Sequence, residues 1–378
     1  MLIAILMSLQ SPWAREAVLR LAEKGHEIHV LDFQKQPSDS YLSGRGDLHA
    51  DGIARLNEKR VRVHLIPGGV GSRWRYLVYW LRVRKVLQDI GPAVVLTLYG
   101  GGSALLAYLS GIRPYVVYVV GSDVLMMTGW RCWLTRPLLT HARMVFANGS
   151  FLAQRTCALA PRARVLPLYL GVDVAKFSPG EPKPSPVLVL CTRGFSEVYN
   201  NEYLIQALPH LPSCLPPFRI VFSSTGPLLK DAERLADRIL EPSLRSGVAF
   251  LNGVTEEQLL DNLRRAHVYV SVSRSDGTSR SLLEALACGL FPVLSDIPPN
   301  REWIDVTSRN GLLTPLDEPK ALAYALAEAI RSSDLRSYAA VVNRRMILER
   351  ADERNNMSAL SDTLESLVCQ GHRSGATA

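Results

Sequence analysis

Short apolar runs alternate with amphipathic segments of helical length through the first half of the chain. The apolar runs are 3–7, 27–31, 61–66, 93–98, 115–120 and 144–147, and the helical segments between them include 13–24 and 73–89. This alternation predicts β-α-β units and a parallel sheet. The helix at 13–24 is expected to end at Lys24, because Gly25 follows in the position that glycine favours after a helix.

A break separates this series from a second one. After Gly171–Asp173, the segment 179–186 contains four prolines, which neither a helix nor a central strand accommodates, so we place an interdomain linker there. The second series has strands at 187–191, 218–222, 248–251, 268–272 and 291–294, and helices at 201–208, 228–240, 256–265, 281–288 and 320–331. The pattern therefore predicts an α/β chain of two doubly wound domains, 1–175 and 176–351, with ligands bound in a cleft between facing strand ends.

Two local patterns refine this prediction. Thr255 and Gln258 have the spacing of a capping box before the helix at 256–265. Residues 94–112 carry no charge over nearly the length of a membrane-spanning helix, but Gly100, Gly101 and Gly102 interrupt them. We interpret this stretch as strand, glycine turn and helix, and the apolar start of the chain as a buried strand rather than a signal peptide.

Composition adds charge and redox information. The 378 residues are 47% hydrophobic and 21% charged, which is typical of a globular protein, and the net charge of +8 favours anionic partners. Charge alone suggests nucleic acid, and no nucleic-acid-binding module accompanies it, so we expect no nucleic-acid partner. Six scattered cysteines without a C-x-x-C pair indicate neither a zinc site nor a disulfide framework, which fits the cytoplasm.

The segment 273–289 carries the most chemical information. A predicted strand ends near Ser273, a loop of small residues follows, and a helix is expected to begin near Ser281. The free N–H groups of that helix form an anion site suited to a pyrophosphate. Glu284, expected in the first turn, can bind a ribose diol, and Asp276 a hexose hydroxyl. Alternatively, Glu284 stabilises only the helix dipole and Asp276 is a turn residue.

The second half of the chain resembles the retaining glycosyltransferases of family 4, which have the GT-B fold. The signature of that family is an acidic residue, seven residues and a glutamate, followed by A-M-A-C-G-x-P-V, and here it is Asp276–Glu284 followed by Ala285–Val293. Further matching segments are Cys191–Gly194, Ser223–Leu228, Phe250–Val254 and Asn310–Leu313. The first half resembles the family more loosely, at 24–30, 121–123, 147–150 and 170–173. The last stretch, about 352–368, resembles the terminal helix that crosses back onto the first domain.

The resemblance implies a role for each matching residue. Asp276, Arg193 and Asp123 would be catalytic, Arg193 by stabilising the leaving diphosphate, and Glu284 would bind the ribose. The remaining donor-binding residues would be Gly277, Thr278, Ser279, Arg280, Ser281, Gly194, Thr225, Gly226, Asn252, Gly253 and Val254. The acceptor side would include Ser11, Trp13, Arg15, Gly101, Asp123 and Asn148.

Some residues depart from the family pattern. The first acid is Asp276 rather than glutamate, and Val198 stands where a phosphate-binding lysine is usual. Arg280 is a candidate for the missing cation or, alternatively, an ordinary exposed arginine. The glycine pair near the N-terminus is replaced by 11–15, and Val120 replaces a histidine.

The resemblance also implies the chemistry. It implies transfer of a sugar with retention of configuration from a nucleotide-diphosphate sugar, for which we favour a UDP-sugar. We expect no cofactor and no metal, because no D-x-D strand end is present and an arginine with helix dipoles can hold the diphosphate.

The stretch 71–85 combines basic and aromatic residues. On a helix, Trp74, Leu77, Val78 and Leu81 share a face, which we expect to pack on the sheet beneath a solvated basic face. The alternative is an anionic membrane surface as partner, to which the patch at 130–133 would add. The acceptor would then be lipid-linked or a growing glycan, and the enzyme cytoplasmic and peripheral at the inner face of the membrane.

Two other functions remain open: a catalytically silent sugar-nucleotide-binding subunit, and a sugar-nucleotide epimerase or hydrolase on the same fold. A nicotinamide dehydrogenase is disfavoured, because no G-x-G-x-x-G follows the first strand.

Overall fold

A computed structural model describes residues 1–9, 12–33, 59, 61–66, 75–181, 185–305 and 307–375. Contacts between Cα atoms group the chain into two compact units. Unit 1 comprises Met1–Leu170 and Arg354–Ala378, and unit 2 comprises Gly171–Glu353. The proline-rich segment that we expected to be the linker follows the boundary between Leu170 and Gly171 and belongs to unit 2.

Unit 1 contains a parallel sheet of seven strands in the order β3-β2-β1-β4-β5-β6-β7 within the described residues. Its strands are β1 (Leu2–Met7), β2 (Glu27–Phe33), β3 (Val61–Ile66), β4 (Val94–Leu98), β5 (Tyr115–Val119), β6 (Met144–Ala147) and β7 (Val165–Pro167). Its helices are α1 (Pro12–Glu23), α2 (Arg75–Ile90), α3 (Gly102–Ser110), α4 (Ser122–Leu125), α5 (Trp130–Thr140), α6 (Ser150–Leu159) and α15 (Glu353–Gly375).

Two apolar layers cover the sheet of unit 1. Helices α1 and α15 bury residues such as Val18 and Leu364 on one face, and α2, α3, α5 and α6 bury residues such as Val83 and Leu139 on the other. Both faces are covered, which explains why the strands are continuous apolar runs rather than alternating ones. The chain from about residue 353 onward thus contributes to the core of the first unit.

Unit 2 contains a parallel sheet of six strands in the order β10-β9-β8-β11-β12-β13 within the described residues. Its strands are β8 (Val187–Cys191), β9 (Phe218–Phe222), β10 (Val248–Phe250), β11 (Val268–Ser271), β12 (Phe291–Ser295) and β13 (Leu312–Thr314). Its helices are α7 (Asn201–Ala207), α8 (Leu229–Ile239), α9 (Pro242–Arg245), α10 (Glu256–Arg265), α11 (Arg280–Ala287), α12 (Pro298–Arg301), α13 (Pro319–Arg331) and α14 (Ser333–Arg350).

Several local predictions are confirmed. Thr255 and Gln258 form the capping box of α10, with both reciprocal hydrogen bonds present. Helix α1 ends at Glu23, and Gly25, two residues later, has a φ of +83°, a conformation that glycine adopts freely. Residues 94–112 form β4, a glycine turn and α3 rather than one helix. Within the described part of the chain, no helix combines the length and the apolar character needed to span a membrane.

The predicted orientation of α2 is wrong. Val83 and Leu87 are buried against the sheet, whereas Val78 and Leu81 are 46% and 52% exposed. The spacing of apolar residues gives this helix two apolar stripes. The stripe with Val83 and Leu87 packs on the sheet, whereas we expected the stripe with Val78 and Leu81 to do so. Trp74 lies outside the described residues, so its place on this surface stays a prediction.

Candidate functional site

The order of the strands reverses between β8 and β11 in unit 2. Strand β9 lies on one side of this pair and β12 on the other, so the connections from β8 and β11 diverge at their carboxyl ends. Ligands of open α/β sheets bind at such a switch point. Arg193 follows β8, and the loop with Asp276 follows β11, so the sheet brings these two residues to the same edge.

Arg193 is held by four neighbours at this edge. Its Nη1 donates to Ser279 Oγ at 2.8 Å and to Ser281 Oγ at 3.0 Å, and its Nη2 donates to Asp276 Oδ2 at 2.6 Å. The ring of Tyr199 lies 4.0 Å from the guanidinium carbon. The side chain is only 10% exposed, and its Nε has no hydrogen-bond partner among the residues that the structure describes. Arg193 is therefore a fixed cation with one donor atom still unsatisfied.

Asp276 is the carboxylate of this buried pair. Burial raises the pKa of Asp276 above its ordinary value, against the opposing effects of Arg193 and of the Gly277 amide. The Gly277 N–H donates to Asp276 Oδ1 at 2.9 Å. Both carboxylate oxygens therefore accept a hydrogen bond, one from the loop itself and one from the cation.

Helix α11 begins one residue earlier than we expected. Ser279 is its N-cap, and its hydroxyl accepts a hydrogen bond from the Leu282 amide. Glu284 consequently lies in the second turn rather than the first, where it is buried. Arg280 Nε donates to Glu284 Oε1 at 3.0 Å, so Arg280 is a half-buried partner of Glu284 rather than an ordinary exposed arginine.

Tyrosines that our sequence analysis gave no role complete the network. The Tyr269 hydroxyl hydrogen-bonds Ser281 Oγ at 2.9 Å. This contact orients the hydroxyl group that accepts a hydrogen bond from Arg193. Tyr199 follows Val198, the residue that replaces the usual lysine, and its ring covers Arg193. The sequence showed only that Val198 departs from the family pattern. A tyrosine in β11, such as Tyr269, does not by itself indicate a role in a binding site.

The neighbouring loops also approach this edge. The Phe195 amide donates to the Thr225 carbonyl at 3.1 Å, which joins the loops after β8 and β9. A Cβ on Gly226 would lie 2.3 Å from the Phe195 carbonyl oxygen, so only glycine fits there. After β10, Asn252, Gly253 and Val254 line an open cavity of about 610 Å³.

Asp123 in unit 1 has a buried, backbone-directed carboxylate. It accepts hydrogen bonds from the amides of Gly100 and Gly121, both at 2.7 Å, and from that of Val120 at 3.1 Å. Burial raises its pKa, against the effect of these amides. Asp123 therefore joins the loops after β4 and β5, and the catalytic role that we assigned to it stays a prediction.

The other residues expected on the acceptor side lie near strand ends of unit 1. Arg15 donates to the Leu9 carbonyl at 2.7 Å, and Asn148 accepts from the Leu170 amide at 3.0 Å, so both fix loops. Gly101 occupies the N-cap position of α3. Trp13 lies 5.7 Å from Tyr99, a residue that our sequence analysis did not identify. Ser11 lies outside the described residues.

Comparison with known proteins agrees with this architecture. Among solved structures, Anabaena HepE in complex with UDP and glucose is similar with a TM-score of 0.76 and 17% identity, covering 97% of this chain and all of HepE. The sucrose-phosphate synthase of Thermosynechococcus elongatus is similar with a TM-score of 0.76 and 15% identity, covering 98% and 100% of the two chains. At these identities the likeness establishes the fold, which is GT-B.

Curated relatives are similar over parts of the chain. A GDP-mannose:cellobiosyl-diphosphopolyprenol alpha-mannosyltransferase of Xanthomonas oryzae pv. oryzae is 30% identical over 189 residues, covering 48% of this chain and 47% of the relative. A GDP-mannose-dependent alpha-(1-6)-phosphatidylinositol monomannoside mannosyltransferase of Mycolicibacterium smegmatis is 22% identical over 309 residues, 74% of this chain and 79% of the relative. The chain spans about half the length of the first of these.

Two family models match successive parts of the chain. The model described as Glycosyltransferase Family 4 matches residues 13–176, and the model described as Glycosyl transferases group 1 matches residues 173–345. The chain therefore belongs to the family 4 glycosyltransferases.

Proposed function

We propose that this protein is a retaining hexosyltransferase that moves a sugar from a nucleotide-diphosphate sugar to a hydroxyl group of a glycan or lipid-linked acceptor. The observation that carries the proposal is the buried network of Arg193, Asp276, Ser279 and Ser281 at the switch point of unit 2. A fixed cation beside the first amides of α11 suits a diphosphate. Glu284, five residues into the same helix, would bind the ribose.

The proposed reaction replaces one bond to the anomeric carbon by another on the same face. The acceptor hydroxyl oxygen bonds to C1 of the sugar as the bond between C1 and the phosphate oxygen breaks. The diphosphate leaves with the electron pair, and the hydroxyl proton passes to a phosphate oxygen. Arg193 would stabilise the charge that develops on the leaving group, without a metal ion. Asp276 would hold a hydroxyl of the transferred sugar.

Two nucleotide bases, uracil and guanine, are candidates for the donor. We favoured a UDP-sugar from the sequence, and HepE was solved with UDP. The Xanthomonas and Mycolicibacterium relatives are named for GDP-mannose. The loop Asn252–Val254, beside the cavity after β10, would contact the base mainly through its backbone, so either base is compatible with its side chains.

Transfer assays test the reaction and its stereochemistry together. The full chain is incubated with UDP-, GDP- or ADP-linked hexoses and with methyl glycosides or cellobiose, and products are followed by proton NMR. We expect one donor class to be consumed, with the anomeric configuration of the donor kept in the product. Inversion would contradict the retaining mechanism. An epimerised nucleotide sugar, or donor binding without turnover, would instead support the alternative functions.

The second partner that we propose is an anionic membrane surface in contact with α2, α3 and α5. These helices cover the same face of the sheet of unit 1, and α2 and α3 are joined by a hydrogen bond from Trp80 to the Leu109 carbonyl. Trp130 and Trp133 of α5 are 69% and 75% exposed, and Val78 and Leu81 of α2 are also exposed. Exposed tryptophans beside basic residues are typical of proteins that insert shallowly into lipid headgroups.

Charge supports the same partner. Between residues 75 and 164 the sequence contains 11 Lys and Arg but only two acidic residues, Asp89 and Asp123. Asp123 is buried, so it does little to offset this basic surface. Anionic lipids attract such a surface within a Debye length of the membrane. The enzyme would then act at the cytoplasmic face, where it meets a lipid-linked acceptor.

Flotation with lipid vesicles tests this partner. We expect the full chain to float at low salt with vesicles containing phosphatidylglycerol and not with pure phosphatidylcholine. The double variant Trp130→Ser/Trp133→Ser should lose most of this binding. The matched control is Tyr324→Ser/Tyr338→Ser, which removes two exposed aromatics from unit 2. Equal flotation of the two variants, or no flotation of the parent, would contradict the proposal.

A further inference from the structure

Unit 1 has its own switch point, between β1 and β4. Strand β2 lies on one side of this pair and β5 on the other. Trp13 is the second residue of α1, which follows β1, and Tyr99 directly follows β4. Their ring centroids are 5.7 Å apart, with an angle of 57° between the planes. Both residues are half-buried rather than fully buried, and both lie at the edge where ligands of such sheets bind.

Tyr99 is held in an unfavourable backbone conformation. Its φ is +110°, a region that residues with a side chain rarely adopt. Its amide donates to the Tyr118 carbonyl at 2.9 Å, and the next amide, of Gly100, donates to Asp123 at 2.7 Å. A Cβ on Gly100 would lie 2.9 Å from Val119 Cγ1, so packing also fixes the loop. Strain that is held this firmly is characteristic of functional sites.

Space and hydrogen-bond donors adjoin the aromatic pair. Among the described residues, no atom lies within 4 Å of a Cβ added to Gly101 or Gly102, so a ligand can approach the backbone there. Helix α3 begins at Gly102, and its N-cap residue, Gly101, provides no side-chain hydrogen bond to the first turn. The amides of that turn point out of the helix and are suited to hydroxyl oxygens.

We propose that Trp13 and Tyr99 form a platform for a sugar ring of the acceptor. The C–H faces of a pyranose carry partial positive charge and pack on the negative faces of aromatic rings, while its hydroxyls reach the amides of α3. This inference rests on the proposed function, because it names the acceptor class as a glycan or a lipid-linked sugar. A lipid alcohol without a sugar has no ring to stack on the platform.

Saturation-transfer NMR with soluble glycosides tests the platform without requiring turnover. The probes are methyl α-mannoside, methyl β-glucoside and cellobiose, each with the full chain. We expect transfer to the ring C–H protons of at least one probe. Trp13→Leu and Tyr99→Gly should each reduce it at least fivefold, and Tyr99→Phe should retain it. Glycine adopts the φ of residue 99 freely, so Tyr99→Gly removes the ring without adding backbone strain.

Tyr324→Leu, an exposed tyrosine of unit 2, serves as the control and should bind the probe like the parent chain. Equal transfer in the parent and in Tyr99→Gly, or no transfer from the parent to any probe, would overturn the platform. Binding of UDP and GDP is measured on the same samples. If a nucleotide binds and no glycoside does, only the platform fails; if no nucleotide binds, the proposed donor site fails.

Discussion

The two switch points have the same strand geometry and opposite chemistry. In unit 2, Arg193 and Asp276 meet as a buried ion pair surrounded by hydroxyl groups. In unit 1, the carboxylate of Asp123 points to backbone amides, and the side chains Trp13 and Tyr99 line the edge instead. The two sheets thus provide similar edges, and the loops give these edges different side chains. The ionic edge suits a diphosphate, and the aromatic edge suits a sugar ring.

Removing the cation should produce the largest loss of stability. Arg193→Ala leaves Asp276 buried without its counter-charge, which typically costs about 3–5 kcal/mol. Urea unfolding of the full chain measures this loss. The control is Arg274→Ala, which breaks an exposed pair with Asp317 and should cost at most about 1 kcal/mol. Similar losses in the two variants would show that the edge of unit 2 is not organised by its ion pair.

Substituting one glycine at each edge should give the second-largest difference in stability. In Gly226→Ala the new Cβ meets the backbone of Phe195 at 2.3 Å, so we expect a loss of about 3 kcal/mol in unfolding free energy. Gly101→Ala places its Cβ in open space and should change stability by less than about 1 kcal/mol. Thermal unfolding of both variants provides the test, and a larger effect at Gly101 would reverse the comparison.

Asp123→Asn should have an intermediate effect. The carboxylate accepts hydrogen bonds on both oxygens, whereas an amide keeps one acceptor, so at least one loop amide loses its partner at a cost of about 1–3 kcal/mol. Hydrogen exchange at Gly100 and Gly121 should then accelerate. Unchanged exchange would mean that Asp123 does not join the two loops.

The pH dependence of Asp276 should be the smallest effect. Its folded-state pKa is raised by burial, so its contribution to stability is complete below the unfolded-state pKa and is lost as the pH rises through the folded-state pKa. The difference in unfolding free energy between the parent and Asp276→Asn should therefore decline as the pH rises from about 4. Urea titrations at several pH values measure it. A difference that grows with pH would show that Arg193 outweighs burial.

Sequence reasoning predicted the frame of the fold well. Strands such as Val187–Cys191 and Phe218–Phe222 are continuous apolar runs, and Thr255 caps α10 through short-range hydrogen bonds. These features depend on neighbours in the sequence, so the sequence alone determines them. The candidate donor residues were also predicted by the order of their motifs, and Arg193, Asp276, Ser279 and Ser281 do meet at one edge.

What sequence reasoning missed depends on tertiary packing. Both stripes of α2 are apolar, and only the sheet decides that Val83 rather than Leu81 is buried. The strain at Tyr99 arises because hydrogen bonds to Tyr118 and Asp123 fix the loop on both sides. The pairing of Arg280 with Glu284 required the actual start of α11. The burial of Val83 and the strain at Tyr99 have no signature in the spacing of residues. The four-residue spacing of Arg280 and Glu284 allows an ion pair on a helix, but it does not by itself show that the helix includes both residues.

We propose that unit 2 binds a nucleoside diphosphate at its ionic edge through Glu284. Isothermal titration of UDP, GDP and ADP into the full chain and into Glu284→Ala tests it most directly. We predict that one nucleotide binds the parent chain. We also predict that Glu284→Ala loses about 100-fold or more in affinity, because two hydrogen bonds from the ribose to a charged group are removed. Equal affinity of the two proteins for that nucleotide would contradict the account.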